Sequence, residues 1–302
     1  MTDCKKAWSE EDHLSWMASA NISKSILSIT SPGTNLDPTN ATLAKDLSRR
    51  VNEFAADIKR RRPEQFGFFA SLPLPDVEAS LAEIAYALDE LDADGVALLT
   101  NFHGMYLGDD ALRPVFDELE KRGAVVFIHP TSPCIGDGVS DGQPASPLDQ
   151  YPIPMFEYLF ETARATMHLF LAGVVDRSPS VTFIITHAGG ALPPLVDRFT
   201  NFASSLPNIP GNVTPAAVKA ALKRQFYFDL AGFPFPDQIR GLSPGLVGAG
   251  RLLYGSDIPY TPPAVVVQLG KALNAGIAAM FPADADQAAI LRGNAGNVLG
   301  TA

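Results

Sequence analysis

Seven short, mostly apolar runs constrain the fold of this chain more than any other feature of its sequence. They lie at 25–30, 66–72, 95–100, 124–129, 181–186, 226–230 and 251–256. Runs without a regular alternation of polar residues, such as "VTFIIT", are typical of strands that are covered on both faces of a parallel sheet. We therefore predict seven parallel strands.

Amphipathic stretches between these runs predict helices. Apolar residues recur every three or four positions over 43–58 and over 77–91. Ser9 is placed to cap a helix that begins at residue 10, and Gly123 follows "VFDELEKR" where a helix should end. Alternating strands and helices indicate an α/β protein with a parallel sheet.

The number of strands leaves two architectures open. A (β/α)8 barrel needs eight strands, and the missing one would have to precede Ser9, where "MTDCKKAW" has no apolar core. The alternative is an open, doubly wound sheet of seven strands. We expect a single domain over residues 1–302, folded as a distorted (β/α)8 barrel that lacks its first strand.

Composition excludes several classes of partner. The 302 residues carry a net charge of −10, which disfavours nucleic acids and anionic membranes. No apolar run approaches the roughly 20 residues of a membrane helix, and the polar N-terminus does not resemble a signal peptide. Cys4 and Cys134 form no metal-binding CxxC motif, so we expect a reducing, cytoplasmic location.

Three polar residues stand where apolar strands should end. His129 follows "VVFI", His187 follows "FIIT", and Asp257 follows "LLYGS". In a parallel barrel the carboxyl ends of the strands meet on one face, where active sites lie. Imidazole and carboxylate groups together suit a divalent ion or acid–base chemistry. For each residue alone, a structural role or a helix-capping role stays open.

Other candidates are less specific. The Gly- and Pro-rich segment 133–153 follows His129 and is expected to form a lid, or else a tolerated surface insertion. His103 lies in a loop on the same face and is a candidate for substrate contact. Arg198 lies eleven residues after His187, where its guanidinium could bind a carboxylate or make a surface ion pair. His13 and His168 fall inside helix patterns and are expected to be structural.

Together, "FIHPTSP", "THAGGALPPLVDRF", "LYGSDIPY" and "ILRGNAGNVLG" resemble the amidohydrolase superfamily, in its branch of metal-dependent decarboxylases. The stretches "RPEQFGFFASLPLPD" and "DGVALLTNFHGMYLGDDALRPVF" look most like the fungal 6-methylsalicylate decarboxylases. The resemblance runs from about residue 7 to the C-terminus. It implies a distorted barrel and a homodimer.

The resemblance also implies roles for individual residues. His129 and Asp257 would bind a divalent metal, zinc first and manganese second, while His187 and Asp257 would be catalytic. Tyr260 would pack on the substrate, and Arg198 would reach the neighbouring subunit's site. No GxGxxG or phosphate-binding loop is present, so no organic cofactor is expected.

The sequence departs from the family at its metal site. The family pattern includes a His-x-His or Glu-x-His pair at the end of the first strand, and His-x-His occurs nowhere in this chain. Two ligands rarely hold a catalytic ion. A late gene start, a shortened form and a paralogue that has lost its metal would each explain the departure. We expect segments 25–30 and 251–256 to flank the gap.

Three functions are compatible with these residues. The favoured one is non-oxidative decarboxylation of a small aromatic or unsaturated carboxylic acid, such as a 6-methylsalicylate-like hydroxybenzoate. The second is metal-dependent hydrolysis of a lactone or amide. The third is an inactive paralogue or truncated form with a role in interaction, which the missing ligand pair favours.

Overall fold

The computed structural model describes residues 8–135, 143–145, 148–261 and 263–300. All seven apolar runs form strands of one sheet, as predicted. The strands are β1 (Ser25–Leu27), β2 (Phe66–Ser71), β3 (Gly95–Leu99), β4 (Val125–His129), β5 (Thr182–Ile185), β6 (Phe226–Asp229) and β7 (Leu252–Leu253).

The strands pair in chain order, and every pairing in this sheet is parallel. Val96 of β3 lies opposite Val126 of β4, and Phe183 of β5 lies opposite Phe226 of β6. Parallel neighbours need a crossover between them, and the intervening helices provide it. This order brings the carboxyl ends of all the strands to one edge.

The sheet is curled rather than flat. Side chains from its inner face share one cluster that includes Ile26 of β1, Phe69 of β2, Ile184 of β5 and Leu253 of β7. In a flat sheet the first and last of seven strands would be roughly 29 Å apart. Curling into an incomplete barrel explains how both terminal strands reach the same interior, and it excludes the open doubly wound alternative.

The outer face of the sheet carries the main hydrophobic core. Val96, Val126, Phe183 and Phe226 are fully buried there, beneath the helices. The helices are α1 (Glu10–Ala20), α2 (Ala41–Arg61), α3 (Val77–Asp89), α4 (Arg113–Arg122), α5 (Glu157–Leu171), α6 (Val174–Arg177), α7 (Leu192–Ser205), α8 (Pro215–Gln225), α9 (Asp237–Leu242), α10 (Pro263–Met280), α11 (Asp284–Ala288) and α12 (Asn294–Leu299).

Two helix ends follow the sequence signals. The Ser9 hydroxyl accepts a hydrogen bond from the Asp12 backbone N–H and caps α1. Gly123 ends α4 with φ at 56°, a left-handed conformation that glycine adopts without strain. Both predictions are confirmed.

Strands β1 and β7 are the two ends of the sheet, as expected for a barrel without its first strand. The outer edge of β7 is nevertheless not bare. The Tyr254 N–H donates to the Ile290 carbonyl, and Asn294 Nδ2 donates to the Leu252 carbonyl. The C-terminal helical segment therefore satisfies backbone groups that another strand would otherwise pair.

Residues 136–142 and 146–147 of the expected lid at 133–153 lie outside the described residues. Of its described part, Cys134–Ile135 pairs antiparallel with Gln143–Pro144. In the part of the chain that the structure describes, no helix is both long and apolar enough to cross a membrane.

Candidate active site

His129 ends β4 with its two ring nitrogens in different environments. Nδ1 lies 2.7 Å from the Pro130 carbonyl oxygen. A carbonyl can only accept, so Nδ1 carries the proton and Nε2 offers its lone pair. The Thr30 hydroxyl lies 3.3 Å from Nε2. Burial, helped by the nearby His187, lowers the pKa of His129 to about 4, so the ring is neutral at physiological pH.

His187 follows β5 and begins a tight turn. Its ring centroid lies 5.8 Å from that of His129, with the two planes at 71°. Its backbone is left-handed, with φ at 54°, a conformation that is uncommon outside glycine. Its N–H donates to Asp229 Oδ1 over 2.9 Å. The turn thus carries the imidazole to the edge where the strands end.

Asp257 follows β7 and is also left-handed, with φ at 57°. Burial raises the pKa of its carboxyl group; His187 opposes this rise, and Asp229 adds to it. Gly255 lets this segment approach its neighbour, because a Cβ there would lie 2.9 Å from the Ala231 nitrogen. The approach brings the carboxyl group of Asp257 near the carboxyl group of Asp229 and the imidazole of His187.

Asp229 is a site residue that our sequence interpretation missed. It ends β6, is buried, and accepts hydrogen bonds from the backbone N–H groups of His187 and Ala231. Burial raises the pKa of its carboxyl group, against the opposing effects of His187 and the two N–H groups. The signal was present in "FYFDL", where an acid ends an apolar strand as Asp257 does.

A cavity of about 1050 Å³ joins these residues. His129, His187, Asp229 and Asp257 all line it, together with Thr186, whose buried hydroxyl has no hydrogen-bond partner within the described protein. The remaining lining comes from α1, β1 and the C-terminal helices, as well as from apolar residues of the barrel interior. The cavity therefore runs from the strand ends towards the gap between β1 and β7.

The three predicted substrate-binding residues lie in different places. Tyr260 lines the cavity and is 60% exposed. Arg198 is exposed on α7, where its guanidinium lies 5.0 Å from the Phe202 ring centroid, and it does not line the cavity. His103 is exposed outside the cavity, with Nε2 3.1 Å from the Asn35 carbonyl oxygen.

The described donors do not make a metal site by themselves. Within the described ranges, no three His, Cys, Asp or Glu side chains are placed to share one ion. The Nε2 of His129, which among these residues meets only the Thr30 hydroxyl, has the form of a ligand, since its Nδ1–H is fixed by a carbonyl. Catalytic zinc usually has three protein ligands, so the expected ion does not fit these residues alone.

Comparison with known proteins identifies the family of this chain. The amidohydrolase family model matches residues 35–301. The 6-methylsalicylic acid decarboxylase of Penicillium expansum is 40% identical over 257 residues, which cover 84% of this chain and 76% of that protein. A second 6-methylsalicylic acid decarboxylase, from Aspergillus aculeatus, is 36% identical over 87% of this chain and 78% of its own length.

Solved structures agree with the fold. A crystal structure described as an amidohydrolase II has a TM-score of 0.83 at 31% identity, covering 98% of this chain and 90% of the other. A 2,6-dihydroxybenzoate decarboxylase has a TM-score of 0.80 at 24% identity, covering 97% and 88%. The resemblance predicted from the sequence motifs is confirmed, and the chain belongs to the amidohydrolase family.

Proposed function

We propose that this protein is a carboxy-lyase that decarboxylates a small hydroxybenzoate of the 6-methylsalicylate type without an oxidant. The observation that carries the proposal is the 40% identity to a 6-methylsalicylic acid decarboxylase over 84% of this chain. The strand-end residues of the cavity supply groups that such a reaction needs.

The cavity has the chemistry of an aromatic acid site. Phe69 and Phe127 stack inside it with ring centroids 5.3 Å apart. The cationic side chains Lys24, Lys271 and Arg292 also line it, although the whole chain is acidic. Aromatic walls favour a benzene ring, and local positive charge attracts a carboxylate.

The acid–base groups account for the proton that the reaction consumes. In this proposal, His187 or the protonated Asp257 donates a proton to the ring carbon that bears the carboxylate. The bond between this carbon and the carboxylate then breaks, its electron pair restores the aromatic ring, and carbon dioxide leaves. The raised pKa of Asp257 supports this role, because burial favours the protonated form of the carboxyl group, which can donate.

The proposal expects zinc, or manganese in its place, with His129 and Asp257 as this chain's contribution to binding. Manganese is named in the description of a solved dihydroxybenzoic acid decarboxylase with a TM-score of 0.78. Because the described donors do not form a group of three, the assay must compare protein with and without added metal.

A homodimer is also part of the proposal, and the surface of α7 is its proposed interface. Arg198 and Phe202 are four residues apart and so share one helix face, and Leu206 directly follows the helix. Phe202 is 59% exposed and Leu206 is 53% exposed. A second copy would cover these side chains and bring Arg198 near another subunit. Light scattering should show a dimer for the wild type and a monomer for Phe202→Glu; a monomeric wild type would contradict this part.

The decisive experiment measures carbon dioxide release from 6-methylsalicylate and related hydroxybenzoates, with zinc, with manganese and with neither. The proposal expects one equivalent of carbon dioxide and one of the matching phenol. Absence of release from every hydroxybenzoate, with metal supplied, would refute it.

A non-catalytic role is the second candidate, and the lack of a three-donor group among the described residues favours it. In that case hydroxybenzoates would bind, as seen by calorimetry, but would not be turned over. Binding with turnover would exclude it. The cytoplasmic location expected from the two cysteines is proposed for either role, and fractionation of the source cells would test it.

A further inference from the structure

The turn that carries His187 has an unusual backbone. Four consecutive residues, His187, Ala188, Gly189 and Gly190, have φ values of 54°, 52°, 82° and 58°. Gly190 has no alternative, since a Cβ there would lie 2.4 Å from the Leu159 carbonyl oxygen. His187 and Ala188 carry a Cβ and adopt this region at a cost, so the surroundings must hold them in it.

One side of the His187 peptide is held by Asp229. Its Oδ1 accepts the His187 N–H over 2.9 Å and the Ala231 N–H over 3.0 Å. The same carboxylate oxygen therefore ties the start of the turn to the segment that follows β6. Ala231 in turn presents its carbonyl oxygen 3.4 Å from His187 Nδ1, so this segment also faces the ring.

The other side is held by Gln238, on α9. Its Nε2 donates to the His187 carbonyl and also to the Gly190 carbonyl, the latter over 3.0 Å. The two bonds span the turn from its first residue to its last. Asp229 and Gln238 thus hold the N–H and the C=O of the residue whose ring faces His129.

We propose that Asp229 and Gln238 are positioning residues that hold His187 in its left-handed conformation and so direct its imidazole into the cavity. The kinetic part of this inference rests on the proposed function, whereas the conformational part does not. Neither residue is required to touch substrate or to exchange a proton.

Gln225 provides a matched control. It is buried, whereas Gln238 is half-buried, and the Gln225 Nε2 donates to the Ser178 carbonyl over 2.7 Å. It lies just before β6, whereas Asp229 ends that strand, so it is at the end of the barrel away from the candidate site. Gln225→Met and Gln238→Met remove the same kind of bond and keep a similar volume.

The experiment combines NMR of the histidine rings with kinetics. The ring signals of His187 are assigned by their loss in His187→Asn. Gln238→Met should shift or broaden these signals and lower kcat about 100-fold at nearly constant KM, since small misplacements of a reacting group have effects of this size. Gln225→Met should leave the His187 signals and kcat unchanged. All measurements are made at a temperature where every variant is folded.

Asp229 is tested by rescue. Asp229→Asn keeps an oxygen that can accept hydrogen bonds from both N–H groups, so its kcat should stay within about threefold of the wild-type value. Asp229→Ala has no such oxygen, and its kcat should fall as far as that of Gln238→Met. If Asp229→Ala does not fold, the results for Gln238→Met and Asp229→Asn decide whether the inference holds. Equal effects of Gln238→Met and Gln225→Met, or unchanged His187 signals in Gln238→Met, would overturn the inference. If the wild type shows no turnover, the proposed function fails, and the NMR result alone decides the positioning roles.

Discussion

Two regions of this molecule each hold a histidine whose pKa is lowered by burial, and only one of them is a candidate active site. In the first, His13 of α1 lies among Trp8, Trp16 and Phe66. Trp8 Nε1–H donates to its Nδ1 over 3.1 Å, and its Nε2 lies 3.0 Å from the Ser25 hydroxyl. In the second, His129 has one nitrogen fixed by a carbonyl and the other directed at a hydroxyl beside the cavity.

The difference lies in what remains available to a ligand. Trp8 can only donate, so Nδ1 of His13 accepts and Nε2 carries the proton towards Ser25. Both nitrogens are then used inside a packed aromatic cluster. Both histidines line the cavity, but the ring of His129 faces that of His187, and in the described part of the chain its Nε2 lone pair meets only the Thr30 hydroxyl. Burial alone therefore does not distinguish a structural histidine from a functional one.

The largest expected effect is a loss of kcat on substitution in the region of His129 and His187. His187→Asn should lower kcat about 1000-fold, because it removes a proton-transfer group, and Asn tolerates the left-handed backbone. The free energy of unfolding should change little, because the backbone bond to Asp229 remains. Steady-state kinetics and urea unfolding measure the two effects. Retention of wild-type kcat would remove His187 from the proposed mechanism.

His13→Ala should show the opposite pattern. It removes two side-chain hydrogen bonds and a ring packed against three aromatic neighbours, so unfolding should become easier by about 3 kcal/mol. The kcat of the folded protein should stay within about twofold. His103→Ala is the control, because that side chain is exposed and such changes usually stay within about 0.5 kcal/mol. A loss of kcat without loss of stability in His13→Ala would contradict the comparison.

The contribution of His129 to stability should fall as pH falls from 6.5 towards 4. The folded pKa of His129, about 4, lies below its ordinary value of 6.5. Between these values the unfolded chain binds a proton that the folded chain does not, and this can remove up to about 3 kcal/mol. The contribution is fully present above pH 6.5. His129→Asn should flatten this part of the curve, as followed by urea unfolding at several pH values; an unchanged slope would show that His129 is not the group responsible.

The smallest expected effect concerns metal. Because the described donors do not form a group of three, excess zinc or manganese should stabilise this chain by about 0.5 kcal/mol or less, and His129→Asn should remove this effect. Thermal unfolding with metal or with EDTA measures this. Metal retained at one ion per chain after dialysis, and lost in His129→Asn, would show that further donors complete the site.

Local sequence signals predicted the elements of the fold because the forces that select them are local. The apolar run "VTFIIT" gave β5, and Gly123 ended α4 where the pattern placed it. The ends of strands were less predictable. The run at 251–256 gave a strand of only two residues, Leu252–Leu253, and the Tyr254 N–H just beyond it bonds to the C-terminal helical segment.

The candidate site was predictable to the extent that it consists of strand ends. His129, His187 and Asp257 could be placed on one face because parallel strands share an edge. Asp229 carried the same signal and was missed, while Gln238 carried none. Its role depends on two carbonyls of a turn 48 and 51 residues earlier in the chain, and no local pattern encodes such a contact.

The sequence by itself determined an α/β chain of seven strands, the residues at their ends, and the family. Periodicity, strand-end chemistry and short motifs are properties of neighbouring residues, so they can be recognised in the sequence without a structure. Only the tertiary structure decided that the sheet curls, that helical residues close the outer edge of β7, and that the rings of His129 and His187 meet in one cavity. These outcomes depend on packing between distant segments, where a hydrogen bond or a cavity is fixed by the whole fold.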